Sequence, residues 1–142
     1  MKLAIATLVA LFATAASGQE MERTSAPENA SVYIISPAAG ETVTSTVTVK
    51  FGLSGMGVAP AGVDQQNTGH HHLLIDIDDD SMPPLDRPLP ATNQVRHFGG
   101  GQTEVTLELA PGRHSLQLLL GDHIHLPHQP PVMSERITVT VE

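Results

Sequence analysis

"TGHHHLLIDIDDD", Thr68–Asp80, is the stretch whose reading decides the fold. Its centre, "HHLLIDI", reads as a strand followed by an acidic turn. Side chains alternate between the two faces of a strand. His71, Leu73, Ile75 and Ile77 therefore share one face, and His70, His72, Leu74 and Asp76 share the other. The run "LQLLL", Leu116–Leu120, has the same apolar density, and both runs read as central strands, so neighbourhood in one sheet is expected.

Working outward, period-two patterning recurs. In "TVTSTVTVKFGLSG", Val43, Val47, Val49, Phe51 and Leu53 fall on one face, with Thr and Lys opposite. "SVYIIS" supplies a short strand ended by Pro37 and Gly40. "QTEVTLELAPGRHSLQLLLGD" reads as a hairpin about a Pro-Gly turn, with Val105, Leu107 and Leu109 inward on one arm. His114, Leu116, Leu118 and Leu120 are inward on the other. "SERITVTVE" closes the domain with Ile137, Val139 and Val141 inward. No amphipathic helix is apparent. The pattern predicts an all-β fold, an immunoglobulin-like antiparallel β-sandwich of about six to seven strands over residues 32–142. The loops at 54–69 and 79–102 are long, the second rich in proline.

Residues 1–18 read as a secretory signal peptide: Lys2, an apolar run from Leu3 to Ala13, then small residues, with cleavage between Ala16 and Gln19. Residues 19–31 are polar and turn-rich and are expected to form a flexible N-terminal arm. The expected location is the bacterial periplasm or the outside. No further apolar run is long enough to span a membrane, so the mature protein is expected to be soluble. There are no cysteines, which excludes thiolate metal sites, blue-copper centres, thiol catalysis and a lipid anchor on cysteine. The net charge of -8 excludes a basic stripe for nucleic acid. Aromatic residues make up 3% of the chain, too few for a stacking platform of the kind that carbohydrate and single-stranded nucleic acid use.

Six of the eight histidines lie in two stretches, "TGHHH" and "LGDHIHLPHQPP", Leu120–Pro131. Neutral imidazole is the commonest metal ligand and suits copper, zinc and nickel. Residues two apart on a strand stand about 6–7 Å apart along it, so a pair can flank an ion or share one with a neighbouring strand. His70 and His72 form such a pair, as do His123 and His125, and His128 sits in a segment stiffened by three prolines. The expected ligands are His70, His72, His125 and His128, with His71 and His123 in reserve. Asp76 and Asp122 are available as oxygen ligands or as acceptors that orient an imidazole. A lone histidine on a strand is more often polar surface or a hydrogen-bonded structural group. His97 and His114 are isolated and are read that way, or as groups that orient a ligand.

Weaker signals are set aside. Asp76, Asp78 and Asp80 have the spacing of calcium-loop ligands, but Ser81 stands where the invariant glycine should be and Arg87 where the bidentate Glu should be. "FGGGQ" does not lead from a strand into a helix, so it is a turn rather than a phosphate loop. Met56, Met82 and Met133 could offer thioether to Cu(I), though loop and core packing explain each. No serine lies in a recognisable nucleophile motif.

Together, "GMGVAPAG…NTGHHHLLID", "HFGGGQTEVTLEL" and "PGRHSLQLLLGDHIHLPHQPPVMSERITVTV" closely resemble a family of small exported bacterial proteins catalogued as a domain of unknown function. The resemblance covers about residues 32–142 and implies no activity. Family members are sometimes labelled as a rod-shape-determining protein. That label names a polytopic membrane protein and does not suit a chain with no membrane span. Copper carriers of the β-sandwich type and oxidative polysaccharide-cleaving enzymes use a histidine at the mature N-terminus, where this chain would begin at Ser, Gly or Gln. The expected function is therefore a periplasmic protein that binds copper or zinc for carriage, buffering or sensing. The alternatives are an envelope module that binds a protein or cell-wall partner through its long loops, with the histidines as a hydrogen-bonded structural network or a pH-responsive patch, and a metal-dependent enzyme of unknown substrate.

Overall fold

The computed structural model describes residues 21–142. The signal peptide read over residues 1–18 lies outside them. The chain forms β1 (Ser31–Ser36), β2 (Thr42–Val43), β3 (Thr46–Ser54), β4 (Gly57–Val58), β5 (Thr68–Ile75), β6 (Val95–His97), β7 (Glu104–Glu108), β8 (Gly112–Gly121) and β9 (Ile137–Val141). The fold is all-β and sandwich-like. One sheet has three strands in the order β1-β3-β7. The other has six, ordered β2-β9-β8-β5-β4, with β6 also paired to β5. Six strands are five residues or longer. The other three, β2, β4 and β6, are short pieces that sequence periodicity cannot register.

β5 and β8 are antiparallel neighbours in the larger sheet, with His71 opposite Leu120 and Leu73 opposite Leu118. The main core lies between the sheets. Leu73 and Ile75 of β5, Leu116, Leu118 and Leu120 of β8 and Val139 of β9 meet Val32, Val47, Val49, Phe51 and Leu107 of the smaller sheet. A second, smaller core covers the opposite face of the larger sheet, where Leu74, Leu119 and Val95 pack against Ile77 and Leu89 from the proline-rich segment. Burial on both faces explains why "LLI", Leu73–Ile75, and "LLL", Leu118–Leu120, are apolar at successive positions instead of alternating. Burying one such leucine contributes about 1.5–3 kcal/mol.

Residues 104–121 are not a hairpin: β7 pairs with β3 in one sheet, and β8 pairs with β5 and β9 in the other. Gly112, at φ 125°, is the first residue of β8 and pairs with Val141 of β9 rather than turning the chain back onto β7. The connection accordingly crosses between sheets, and the apolar faces of β7 and β8 meet across the core. Ile77 does not continue the inner face of β5. The strand ends at Ile75, Asp76 takes φ 55°, and Ile77 enters the second core instead.

Residues 21–30, expected as a flexible arm, lie against the domain. Ser25 bridges Gln129 as a parallel pair, and Ala26 and Ala30 pack on the main core. Among the described residues no helix is long and apolar enough to cross a membrane.

Candidate metal centre

The outer face of β5 carries His70 and His72, fully buried, with ring centroids 4.8 Å apart. β6 runs antiparallel along that edge and sets His97 directly opposite His72, the rings stacked at 5.2 Å. The turn after β8 brings in His125, whose ring centroid lies 4.4 Å from that of His97 and 5.0 Å from that of His70. Four histidines thus converge, with one potential ligand nitrogen from each lying within 4.8 Å of all the others. The cluster could hold a metal ion. Nitrogens about 2.0–2.1 Å from a tetrahedral ion stand roughly 3.3 Å apart, so an ion would need a modest inward movement of the rings.

The turn that presents His125 is built by Asp122. One carboxylate oxygen accepts from the backbone amides of Ile124 at 3.0 Å and Leu126 at 2.9 Å, and the Asp122 carbonyl accepts from the His125 amide. His125 takes φ 68°, a left-handed conformation uncommon for a residue with a side chain and concentrated at functional sites. Two glycines make room for the rings. A Cβ on Gly121 would lie 2.7 Å from His72 Cε1, and one on Gly99 would lie 2.6 Å from the His97 ring.

The polar accounting is incomplete within this cluster. His70 Nε2 and His125 Nδ1 are 3.0 Å apart and can share a hydrogen bond. His70 Nδ1 and both ring nitrogens of His72 are buried without a partner. An unsatisfied buried polar group costs about 1–3 kcal/mol. Burial favours the neutral form of His70, His72 and His97, the form that binds a metal. Burial, then His125 and His97, push His70 down to about 4. Burial, then the neighbouring imidazoles, push His72 down to about 3. His97 is also lowered, by burial and then by His125. His70 and His72 form the floor of the cluster. His125 is half-buried and His97 exposed, which gives an ion a route to solvent.

Of the four expected ligands, three come together, His70, His72 and His125, and neither His128 nor the reserve pair His71 and His123 joins them. His71 points to the opposite face, where its ring lies 5.1 Å from Phe51 in the main core, and burial pushes it down to about 4. His128 is fully buried, with Nε2 3.2 Å from the Thr68 carbonyl. His123 turns outward, 3.7 Å from the Asp64 carboxylate. His97, read as isolated, is the fourth member. It sits on a three-residue strand after a long loop, and its partner is 25 positions away, so periodicity could not find it. The one available signal was "HFGGG", where glycine lets the backbone pass close to a ring. Asp76 orients an imidazole outside the cluster, that of His114 at 2.7 Å. Asp78 bonds Ser81, and Asp79 pairs with Arg136 at 2.8 Å, so these acidic residues reach separate partners. Met56 packs on the main core and Met82 on the second.

A family model described as Domain of unknown function (DUF4399) matches residues 49–142, and the chain belongs to that family. No curated protein and no solved structure matches the chain.

Proposed function

We propose that this DUF4399 member binds one transition-metal ion, copper or zinc, through His70, His72, His97 and His125, and that it carries, buffers or senses that ion in the periplasm or outside the cell. The observation that carries the reading is His72. Its ring is buried, stands opposite His97, faces His70 and His125, and has no hydrogen-bond partner on either nitrogen. A metal supplies the missing partner to one of those nitrogens. The donor set is all imidazole, which suits copper and zinc and not calcium or magnesium. Four imidazoles complete a tetrahedral shell and leave no position for a reacting water at that coordination number. The arrangement therefore favours holding an ion over hydrolysis. Exposure of His97 favours an exchangeable ion over a purely structural one.

Elemental analysis of the mature protein, exported to a periplasm and purified without a histidine tag, tests this directly. About one copper or zinc per chain is expected, absent from the His72→Ala/His97→Ala double variant and retained in His123→Ala. A chain that arrives metal-free and takes up neither ion at micromolar concentration overturns the reading, and the histidines then form the structural network of an interaction module.

A further inference from the structure

The loop that carries His125 is laced to a segment about 100 positions earlier in the chain. Asp122 spends one carboxylate oxygen on the Ile124 and Leu126 amides, and its other oxygen accepts from the Thr24 hydroxyl at 2.8 Å. At the far end of the loop, the Arg23 guanidinium donates to the Pro127 carbonyl at 3.0 Å and to the His128 carbonyl. The Gln129 amide donates to the Thr24 carbonyl at 2.9 Å, and the Ala26 amide donates to the Gln129 carbonyl at 3.2 Å. Residues 122–129 are therefore clamped at both ends by residues 23–26. His125 lies between the clamps in its left-handed conformation, with its carbonyl accepting from the Leu89 amide.

We propose that Thr24, Arg23 and Asp122 are positioning residues for His125, so that docking of the 23–26 segment and metal occupancy of the histidine cluster are thermodynamically coupled; this rests on the reading of the cluster as a metal site. A residue held in a sparsely populated backbone conformation keeps it only while its surroundings insist. Asp122 is 2% exposed, and its carboxylate requires the Thr24 hydroxyl to satisfy the second oxygen. Loss of that hydroxyl loosens the turn and lets the His125 ring leave the position it must hold for an ion. Coupling runs equally in the other direction, because linkage between two sites is reciprocal. An ion that fixes His125 also fixes the strap, so the N-terminal segment reports whether the site is filled.

The test uses the whole mature chain with Thr24→Val, Thr24→Ser and Arg23→Gln. Zinc and copper(II) affinities are measured by competition with a chromogenic chelator, and amide exchange is followed at Ile124, His125 and Leu126, with Leu118 in β8 as the reference for global opening. Thr24→Val and Arg23→Gln should each weaken metal binding about tenfold, as loss of a group that orients a ligand does, and Thr24→Ser should restore it. Exchange at 124–126 should accelerate while Leu118 does not change. Metal should slow exchange at Ala26 and Gln129 in the wild type. Unchanged affinity in Thr24→Val, with the wild type binding metal, overturns the proposal. If the wild type binds neither ion, the metal reading falls. The strap is then judged by exchange alone: faster exchange at 124–126 in Thr24→Val upholds the positioning, and unchanged exchange overturns it.

Discussion

His72 and His97 are a directly opposed cross-strand pair, and both ring nitrogens of His72 are buried with no hydrogen-bond partner. Without an ion, the cluster leaves these nitrogens unpaired. Replacing His72 by leucine removes two unsatisfied groups, worth about 1–3 kcal/mol each, against a repacking cost of about 1–3 kcal/mol. Metal-free His72→Leu should be as stable as the wild type or more so, while its affinity for metal falls. Urea denaturation of both apo proteins checks this. A loss above about 2 kcal/mol would mean that the His72 nitrogens have partners in solution.

The glycines offer a way to disturb the site without deleting a ligand. Gly99→Ala places a methyl 2.6 Å from the exposed His97 ring, which can swing away. Metal affinity should fall at least tenfold with little loss of fold stability. Gly121→Ala meets the buried His72 ring at 2.7 Å and the His125 backbone at 3.3 Å, where nothing yields easily. It should lose metal and also about 1–3 kcal/mol of stability, the usual cost of overpacking. Gly57→Ala, whose added Cβ meets nothing nearer than 3.6 Å, is the control. Calorimetric titration with thermal unfolding separates the three. Undiminished affinity in Gly99→Ala would remove His97 from the ligand set.

β5 and β8 were legible because alternation and apolar density are local properties of a central strand. Their faces were assigned up to Ile75, and the error began where Asp76 turned left-handed, a conformation no pattern announces. Pro-Gly marks a turn and so implies a hairpin over residues 104–121. It does not say whether the next strand returns to the same sheet. The candidate site was half legible for the same reason. Alternation placed His70 and His72 together and His71 apart. His97 depends on a pairing across a loop of some twenty residues, and the outward turn of His123 depends on the backbone path through Asp122. Histidine density in "HIHLPH" therefore overstated that stretch, which contributes one ring to the cluster, His125.

Metal should raise the melting temperature of the protein by mass action, since the four rings converge only in the folded chain. At a hundredfold excess over the dissociation constant the gain is about 2.7 kcal/mol. The increment should vanish in His125→Ala and persist in His123→Ala, read by differential scanning calorimetry with and without a chelator. An equal increment in His125→Ala would place the ion elsewhere.

Acid should destabilise the metal-free fold. Burial holds His71 at about 4, against Phe51 and outside the cluster, and lowers His70 and His72 to about 4 and 3. The unfolded chain takes up these protons near pH 6.5, and the folded chain refuses them until much lower pH. Between those limits the unfolded state binds more protons, so stability rises with pH. The contribution is complete above pH 6.5 and is lost as pH falls toward 4 and then 3. His114 acts in the opposite sense. The Asp76 carboxylate and the Ala110 carbonyl raise it, so its contribution is full below pH 6.5 and is lost as pH rises through the raised value. Apo stability should thus fall steeply on the acid side and only slightly on the alkaline side. The alkaline loss should be absent from His114→Gln. Urea midpoints from pH 4 to 9 test both limbs, and a flat profile between pH 6.5 and 4.5 would show that the three buried imidazoles are open to protons in the native state.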